Sequence, residues 1–246
     1  MLKKVLKQFT QNIFPATCIL CSSRSDLSVD ICRDCFNDLP VLQQACIKCA
    51  NILQGGNTQE IVCGQCLKTP PPFNRTVALF HYQHPVNHLL TALKFHGKLT
   101  YGRLLGQLMA QYLQQVYTDV KHLPQCIIPM PLHYKRLKSR GFNQALELAQ
   151  PIAQCLKLPL NYTHCQRIKA TTPQMLIPAK ERKKNVNNAF QVKPLRIKHI
   201  ALVDDIMTTG HTAAQMSKVL LKSGVEKIDL WCCARTHSNY SSFRNY

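Results

Sequence analysis

Residues Ile200 to Thr212 read IALVDDIMTTGHT, an apolar run closed by two adjacent carboxylates and followed by a turn of threonines around one glycine. Ile200, Ala201, Leu202 and Val203 form the short unbroken hydrophobic stretch that a parallel strand buried on both faces requires. The run stops at Asp204 and Asp205, which predicts that both charges sit at the strand's carboxyl end. Beyond Thr208, Thr209, Gly210, His211 and Thr212, the residues Ala213, Met216, Val219 and Leu220 recur at helical spacing. The turn therefore delivers unpaired backbone N–H groups at a helix N-terminus, which is an anion site. Gly210 allows a positive φ or a close approach, and the threonine hydroxyls add hydrogen bonds to the anion. In open α/β sheets the ligand crevice lies at this strand end. A Walker loop is excluded, because no G-K-[ST] follows.

The segment resembles the diphosphoribose signature of type I phosphoribosyltransferases, an apolar strand followed by paired acids and T-x-G-x-T. By that resemblance Asp204 and Asp205 hold the ribose hydroxyls, and Thr208 to Thr212 wrap the 5′-phosphate of phosphoribosyl pyrophosphate. Mg²⁺ would bridge ribose hydroxyls and pyrophosphate, as suits a hard cation with substrate oxygens. The competing reading is an exposed acidic turn after a core strand.

Eight of the thirteen cysteines form four C-x-x-C pairs, Cys18/Cys21, Cys32/Cys35, Cys46/Cys49 and Cys63/Cys66, separated by ten, ten and thirteen residues. Each pair is a knuckle, and two knuckles supply the four thiolates of a closed tetrahedral zinc site, so two structural Zn²⁺ ions are expected. Sequential and interleaved pairings use the same residues equally well. A disulfide framework is the competitor; the basic N-terminus MLKKVLKQFTQNIF lacks the apolar core and cleavage site of a secretion signal, which favours reduced thiols and the cytoplasm. Cys126, Cys155, Cys165, Cys232 and Cys233 fall in apolar segments and read as core residues. A small module of this kind has too little core to fold without its metal. Pro70, Pro71 and Pro72 mark its end, giving a double zinc ribbon over residues 1–70 and a second domain over 73–246.

With 246 residues, 46% of them hydrophobic, the chain has enough material for one sizeable α/β domain plus the small module. No apolar run approaches the ~20 residues that span a bilayer. The net charge of +19, from 31 Lys and Arg against 12 Asp and Glu, predicts attraction to polyanions. Cations cluster at Lys135, Arg136, Lys138 and Arg140, at Lys180, Arg182, Lys183 and Lys184, and at Lys193, Arg196 and Lys198. Tyr134 and Phe142 flank the first cluster and offer a stacking surface for single-stranded bases. The alternative is that some cations face pyrophosphate and others solvate the surface.

After the linker the chain alternates as an α/β domain does. Val77 to Tyr82 reads as a strand, Pro85 to Phe95 as a helix, and Leu104, Leu105, Leu108, Met109, Tyr112 and Val116 mark an amphipathic helix. Cys126 to Ile128 reads as a strand leading into Pro129, Met130 and Pro131. The helix carrying Ala145, Leu148, Ala149 and Ile152 is expected to kink or restart at Pro151, and Lys227 to Cys233 reads as a last strand.

The run RGFNQALELA (Arg140 to Ala149), the pattern TTPQ then ERKKNVNNAF (Thr171 to Gln174, Glu181 to Phe190), the diphosphoribose signature and the double zinc ribbon together resemble the ComF competence family, including its gluconate-utilisation-type homologues. The similarity spans nearly the whole chain. It implies a type I phosphoribosyltransferase fold, a parallel sheet flanked by helices, and a cytosolic role in natural transformation, handling incoming single-stranded DNA alongside a competence helicase or recombination proteins. Residue by residue, Pro129, Met130 and Pro131 stand at the pyrophosphate loop, with Arg140, Asn143 and Gln144 as nearby polar contacts. Arg167, Lys169 and Arg182 bracket the mobile catalytic loop and, with Arg140, are the candidate leaving-group stabilisers. Ile177 and Ala170 depart from the family pattern without removing a phosphate ligand. Lys94 and Gly97 match a K-x-x-G motif, which a helix C-terminus with a glycine cap explains almost as well. The motifs leave open whether the ribose site is catalytic; an active phosphoribosyltransferase of nucleotide metabolism is the alternative.

Overall fold

The structure is a computed structural model that describes residues 17–53, 61–169 and 189–236. The chain divides into two compact units, Met1–Pro40 and Val41–Tyr246. In the first, a short bridge joins Thr17 to Arg24, helix α1 (Arg33–Asn37) follows Cys32, and Val29, Ile31 and Leu39 are buried. Ser25 Oγ reaches the carbonyls of Val29 and Ile31 at 2.8 and 2.6 Å, which closes the loop between the two knuckles.

The second unit holds the last two knuckles together with the α/β domain. Backbone hydrogen bonds account for that grouping. Leu42 N–H donates to the Leu79 carbonyl at 2.8 Å, and Thr76 N–H to that of Ile47 at 2.8 Å. Lys48 Nζ reaches the Asn74 carbonyl at 2.9 Å. The second ribbon, with helix α2 (Gly64–Lys68), is thus stitched along strand β1 (Arg75–His81).

The main sheet is four-stranded and wholly parallel, in the order β1, β6, β5, β2, where β2 is Cys126–Pro129, β5 is His199–Met207 and β6 is Lys227–Arg235. The central strands are buried from Ile200 to Val203 and from Ile228 to Ala234, as strands between helical layers should be, and the one charge in these runs, Asp229, accepts from the Tyr117 hydroxyl at 2.7 Å. Among the described residues, the last strand in sequence lies between the first and the fifth. A separate antiparallel pair, β3 (Cys165–Arg167) and β4 (Phe190–Val192), stands on either side of residues 170–188, which lie outside the described residues.

Helices α3 (Val86–His96), α4 (Leu99–Val116), α5 (Tyr134–Arg140), α6 (Gln144–Leu156) and α7 (His211–Lys222) complete the domain. Pro151 neither breaks nor restarts α6, which runs through it. Gly106 of α4 faces that proline so closely that a Cβ there would lie 2.4 Å from Pro151 Cγ and 2.6 Å from the Leu148 carbonyl oxygen. The proline ring thus serves as packing surface for α4. Cys126, Cys165, Cys232 and Cys233 are buried as expected, but Cys155, on the last turn of α6, is exposed. Among the described residues, no helix is long and apolar enough to cross a membrane.

Candidate functional site

Strand β5 does not end where its apolar run does. It continues through the carboxylates to Met207, because β6 goes on pairing with it (Asp204 with Cys232, Ile206 with Ala234, Met207 with Arg235). The short partner β2 stops at Pro129 opposite Val203. Past that point one side of β5 has no strand beside it, and a cleft of about 750 Å³ opens there.

The cleft collects residues from five segments. Asp204, Asp205, Thr208 and Thr212 come from β5 and its turn, Met130 and Pro131 from the loop after β2, Arg136 and Arg140 from α5, Arg167 from β3, and Lys94 with Phe95 from the end of α3. Each is placed by local chemistry. His133 Nδ1 caps α5 by accepting from Lys135 N–H at 3.3 Å, and Gly141, at φ +85°, ends that helix just after Arg140. Asn143 caps α6 through Ala145 N–H at 3.0 Å while its Nδ2 donates to the Met130 carbonyl at 3.1 Å, so it braces the loop. A backbone bridge between His133 and Arg167 carries β3 to the cleft, where the Arg167 guanidinium lies 5.5 Å above the Phe190 ring.

The carboxylates differ in setting. Asp205 is buried and ion-paired with Lys94, and its backbone N–H donates to Asp204 Oδ1 at 2.9 Å. The Asp204 carboxyl is pushed well above the usual carboxylate range, first by burial and then by the charge of Asp205. Burial also lowers the Arg140 and Arg167 guanidiniums, with the neighbouring Arg136 charge acting in the same direction. Arg140 donates to Gln144 Oε1 and stands 5.9 Å over the Phe95 ring.

The turn after β5 has the expected backbone form. Gly210 is left-handed at φ +75° and heads α7, whose Ala214 N–H donates back to the Gly210 carbonyl at 2.8 Å. Thr209 Oγ1 and His211 Nδ1 are 2.7 Å apart, so the histidine braces the turn. Thr208, Thr209, Gly210, His211 and Thr212 line a recess of about 40 Å³ beside Asp204.

Lys135 and Lys138 project outward from α5, and Tyr134 beside them is 65% exposed. Lys169 is exposed and does not line the cleft, while Arg182, Lys183 and Lys184, like Ile177 and Ala170, lie outside the described residues. Lys94 is the residue that sequence reasoning undervalued. Gly97 does cap α3 at φ +64°, yet the lysine three residues before it also reaches Asp205, so the K-x-x-G spacing serves both purposes.

Two cysteine clusters are placed to hold a metal ion each, Cys18, Cys21, Cys32 and Cys35 and Cys46, Cys49, Cys63 and Cys66, with the sulfurs of each set within 4.8 Å of one another. Pairing is therefore sequential. Cys21 and Cys32 sulfurs are 3.6 Å apart, and those of Cys49 and Cys63 are 3.7 Å apart. A tetrahedral zinc with bonds of ~2.3 Å places sulfurs ~3.8 Å from each other, whereas a disulfide needs ~2.05 Å. Cys63 N–H donates to Cys46 Sγ at 3.2 Å, and hydrogen bonds from Cys49 and Cys66 hold the Cys46 thiol far below its ordinary range while those two thiols are raised in turn. Both donor sets fit structural Zn²⁺.

The family-model match agrees with the two cysteine clusters. A double zinc ribbon domain matches residues 9–67. A DNA utilization protein YhgH from Shigella flexneri is 33% identical over 227 residues, covering 90% of this chain and 98% of that protein. The chain belongs to the ComF family. Other ComF relatives are the competence protein F of Haemophilus influenzae, 33% identical across 91% of this chain and 99% of its own, and the competence protein ComFC of Bacillus subtilis, 25% identical across 84% and 89%. Among solved structures, a purine phosphoribosyltransferase from Pyrococcus horikoshii Ot3 shares 17% identity at a TM-score of 0.29, covering 67% of this chain and 90% of that one.

Proposed function

We propose that this protein serves the uptake and use of DNA in the cytoplasm, holding phosphoribosyl pyrophosphate with Mg²⁺ in its cleft and single-stranded DNA on its basic surface. The observation that carries the reading is the convergence of paired carboxylates, a glycine-headed helix N-terminus and three arginines on one cleft. Hydroxyl donors of a ribose suit Asp204 and Asp205. The 5′-phosphate suits the backbone N–H groups of the turn, and the pyrophosphate suits Arg136, Arg140 and Arg167. Mg²⁺ would lie among ribose hydroxyls and pyrophosphate oxygens, beside the acids. The names of the relatives, competence and DNA utilization, and the net charge of +19 support the DNA half. Exposed Tyr134, Lys135 and Lys138 on α5 supply stacking and phosphate contacts at the cleft's edge. The double zinc ribbon is then a folded platform, and a competence helicase or recombination protein is the class of partner.

Calorimetry with phosphoribosyl pyrophosphate and Mg²⁺, on the wild type and on Asp204→Ala/Asp205→Ala, tests the cleft. A wild type that takes up no ligand removes this reading. Binding of single-stranded oligonucleotides should weaken steeply with salt. Affinity unchanged by reversing Lys135, Arg136 and Lys138 to glutamate would discard that surface.

A catalytic reading is favoured by one observation, the half-buried Arg140 and Arg167 guanidiniums in the cleft that holds the acids. Such pre-placed charge stabilises a departing pyrophosphate, with Lys169 and Arg182 joining from the loop. Pyrophosphate release with a base or related acceptor tests it, and ligand binding without turnover across an acceptor panel counts against it.

A further inference from the structure

Arg235 closes β6 and is only 1% exposed, although it lies outside the cleft lining. Its Nη1 donates to the carbonyls of Met207 at 3.2 Å, of Thr208, and of Thr236 at 2.9 Å. Its Nε donates to the carbonyl of Cys49 at 3.0 Å. One guanidinium thus joins a zinc knuckle to the root of the phosphate turn. A cavity of about 230 Å³ lies beside this bridge, lined by Cys49, Cys63 and Cys66 and by Met207, Thr209 and Gly210.

We propose that Arg235 is a positioning residue that couples the second zinc centre to the phosphate turn, so that metal occupancy of Cys46, Cys49, Cys63 and Cys66 sets the turn's affinity for a phosphate ester. The proposal rests on the reading that this turn holds phosphate. The coupling follows from peptide planarity. The Met207 carbonyl and Thr208 N–H share one rigid trans unit, as do the Thr208 carbonyl and Thr209 N–H, so fixing each oxygen from behind aims the opposite N–H. On the zinc side, Ala50 is held left-handed at φ +50°, and its N–H donates to the Cys46 carbonyl at 2.7 Å. A residue with a Cβ keeps that conformation only where its surroundings enforce it. Loss of the metal releases the knuckle and turns the Cys49 carbonyl away. The buried guanidinium then loses an acceptor and must re-pair at the expense of the turn.

The test compares wild type, Arg235→Lys, a second-centre variant (Cys63→Ser/Cys66→Ser), their combination, and a first-centre variant (Cys32→Ser/Cys35→Ser), with zinc content measured for each. Amide hydrogen exchange of residues 208–212 is read against the amides of β5 and β6. Phosphoribosyl pyrophosphate affinity with Mg²⁺ is measured by calorimetry. Lysine keeps the charge but cannot span separated carbonyls. Exchange in the turn about tenfold faster and affinity about tenfold weaker are expected for Arg235→Lys and for the second-centre variant. The combination should be no worse than either, and the first-centre variant should behave as wild type. Unchanged turn exchange after loss of the second zinc overturns the coupling, as do effects that multiply in the combination. If Arg235→Lys does not fold, the same exchange comparison on the second-centre variant decides. A wild type that binds no phosphoribosyl pyrophosphate fails the ligand reading, while the exchange data still judge the coupling.

Discussion

Gly210→Ala puts the geometry of the turn after β5, and its proposed phosphate role, to a quantitative test. Gly210 sits at φ +75° and ψ 1°, and a Cβ built there meets Met207 Cε at 2.7 Å. The left-handed conformation costs an alanine ~1–2 kcal/mol. Moving the flexible methionine tip adds a few tenths, on the order of a mild rotamer distortion. The stiffer unfolded chain returns about 0.4–1 kcal/mol. The net expectation is a loss of about 1 kcal/mol of stability by urea denaturation. Relaxing the strain would rotate the peptide that begins α7 and withdraw N–H groups from the recess, so calorimetry should show phosphoribosyl pyrophosphate bound about tenfold more weakly. Gly210→Asn should fall between, since asparagine tolerates the left-handed region better. An alanine variant that unfolds at the wild-type denaturant concentration and binds with wild-type affinity would refute the account of this turn.

Three further outcomes follow from the same geometry. Asp204 has a raised carboxyl pKa in the folded state, so the unfolded chain ionises first, and this residue's contribution lowers stability as pH climbs above the ordinary carboxylate range; Asp204→Asn should therefore be more stable than wild type at pH 7.5 by urea denaturation, should lose that advantage toward pH 4, and should bind ligand poorly. Lys94→Met strands the buried Asp205 carboxylate and should cost about 3 kcal/mol at neutral pH, which Asp205→Asn in the same chain should largely restore. Gly106→Ala drives a methyl against Pro151 and the Leu148 carbonyl, so the gain in helix propensity should be outweighed by a net loss of about 1–2 kcal/mol in chemical denaturation, whereas an equivalent change at open Gly64 should cost less.

Much of this anatomy was legible from residue order. The strand at Ile200 to Val203, the turn through Gly210 and the eight-cysteine pattern all carry local signals, because periodicity, turn chemistry and ligand spacing act over a few residues. What escaped reading depends on partners distant in sequence. Strand β5 outlasts its apolar run because β6 continues beside it. Pro151 stays inside α6 because Gly106, from another helix, fits around its ring. Knuckle pairing and the docking of the second ribbon on β1 are set by the folded chain. Lys94 shows the limit most sharply: its glycine-capped helix end was visible locally, and its charge partner lies 111 positions later in the numbering, at Asp205.

Strand order also bears on how this chain is made. Strand β6 sits between β1 and β5, so during synthesis β1 has no strand to pair with until residues 227–235 have emerged, whereas β2 and β5 pair with each other. Long-range parallel pairing of this kind is slow and leaves apolar strand surface exposed meanwhile. A frameshift or stop codon before Lys227 therefore removes the strand that joins β1 to β5, even when every cleft residue has already been synthesised.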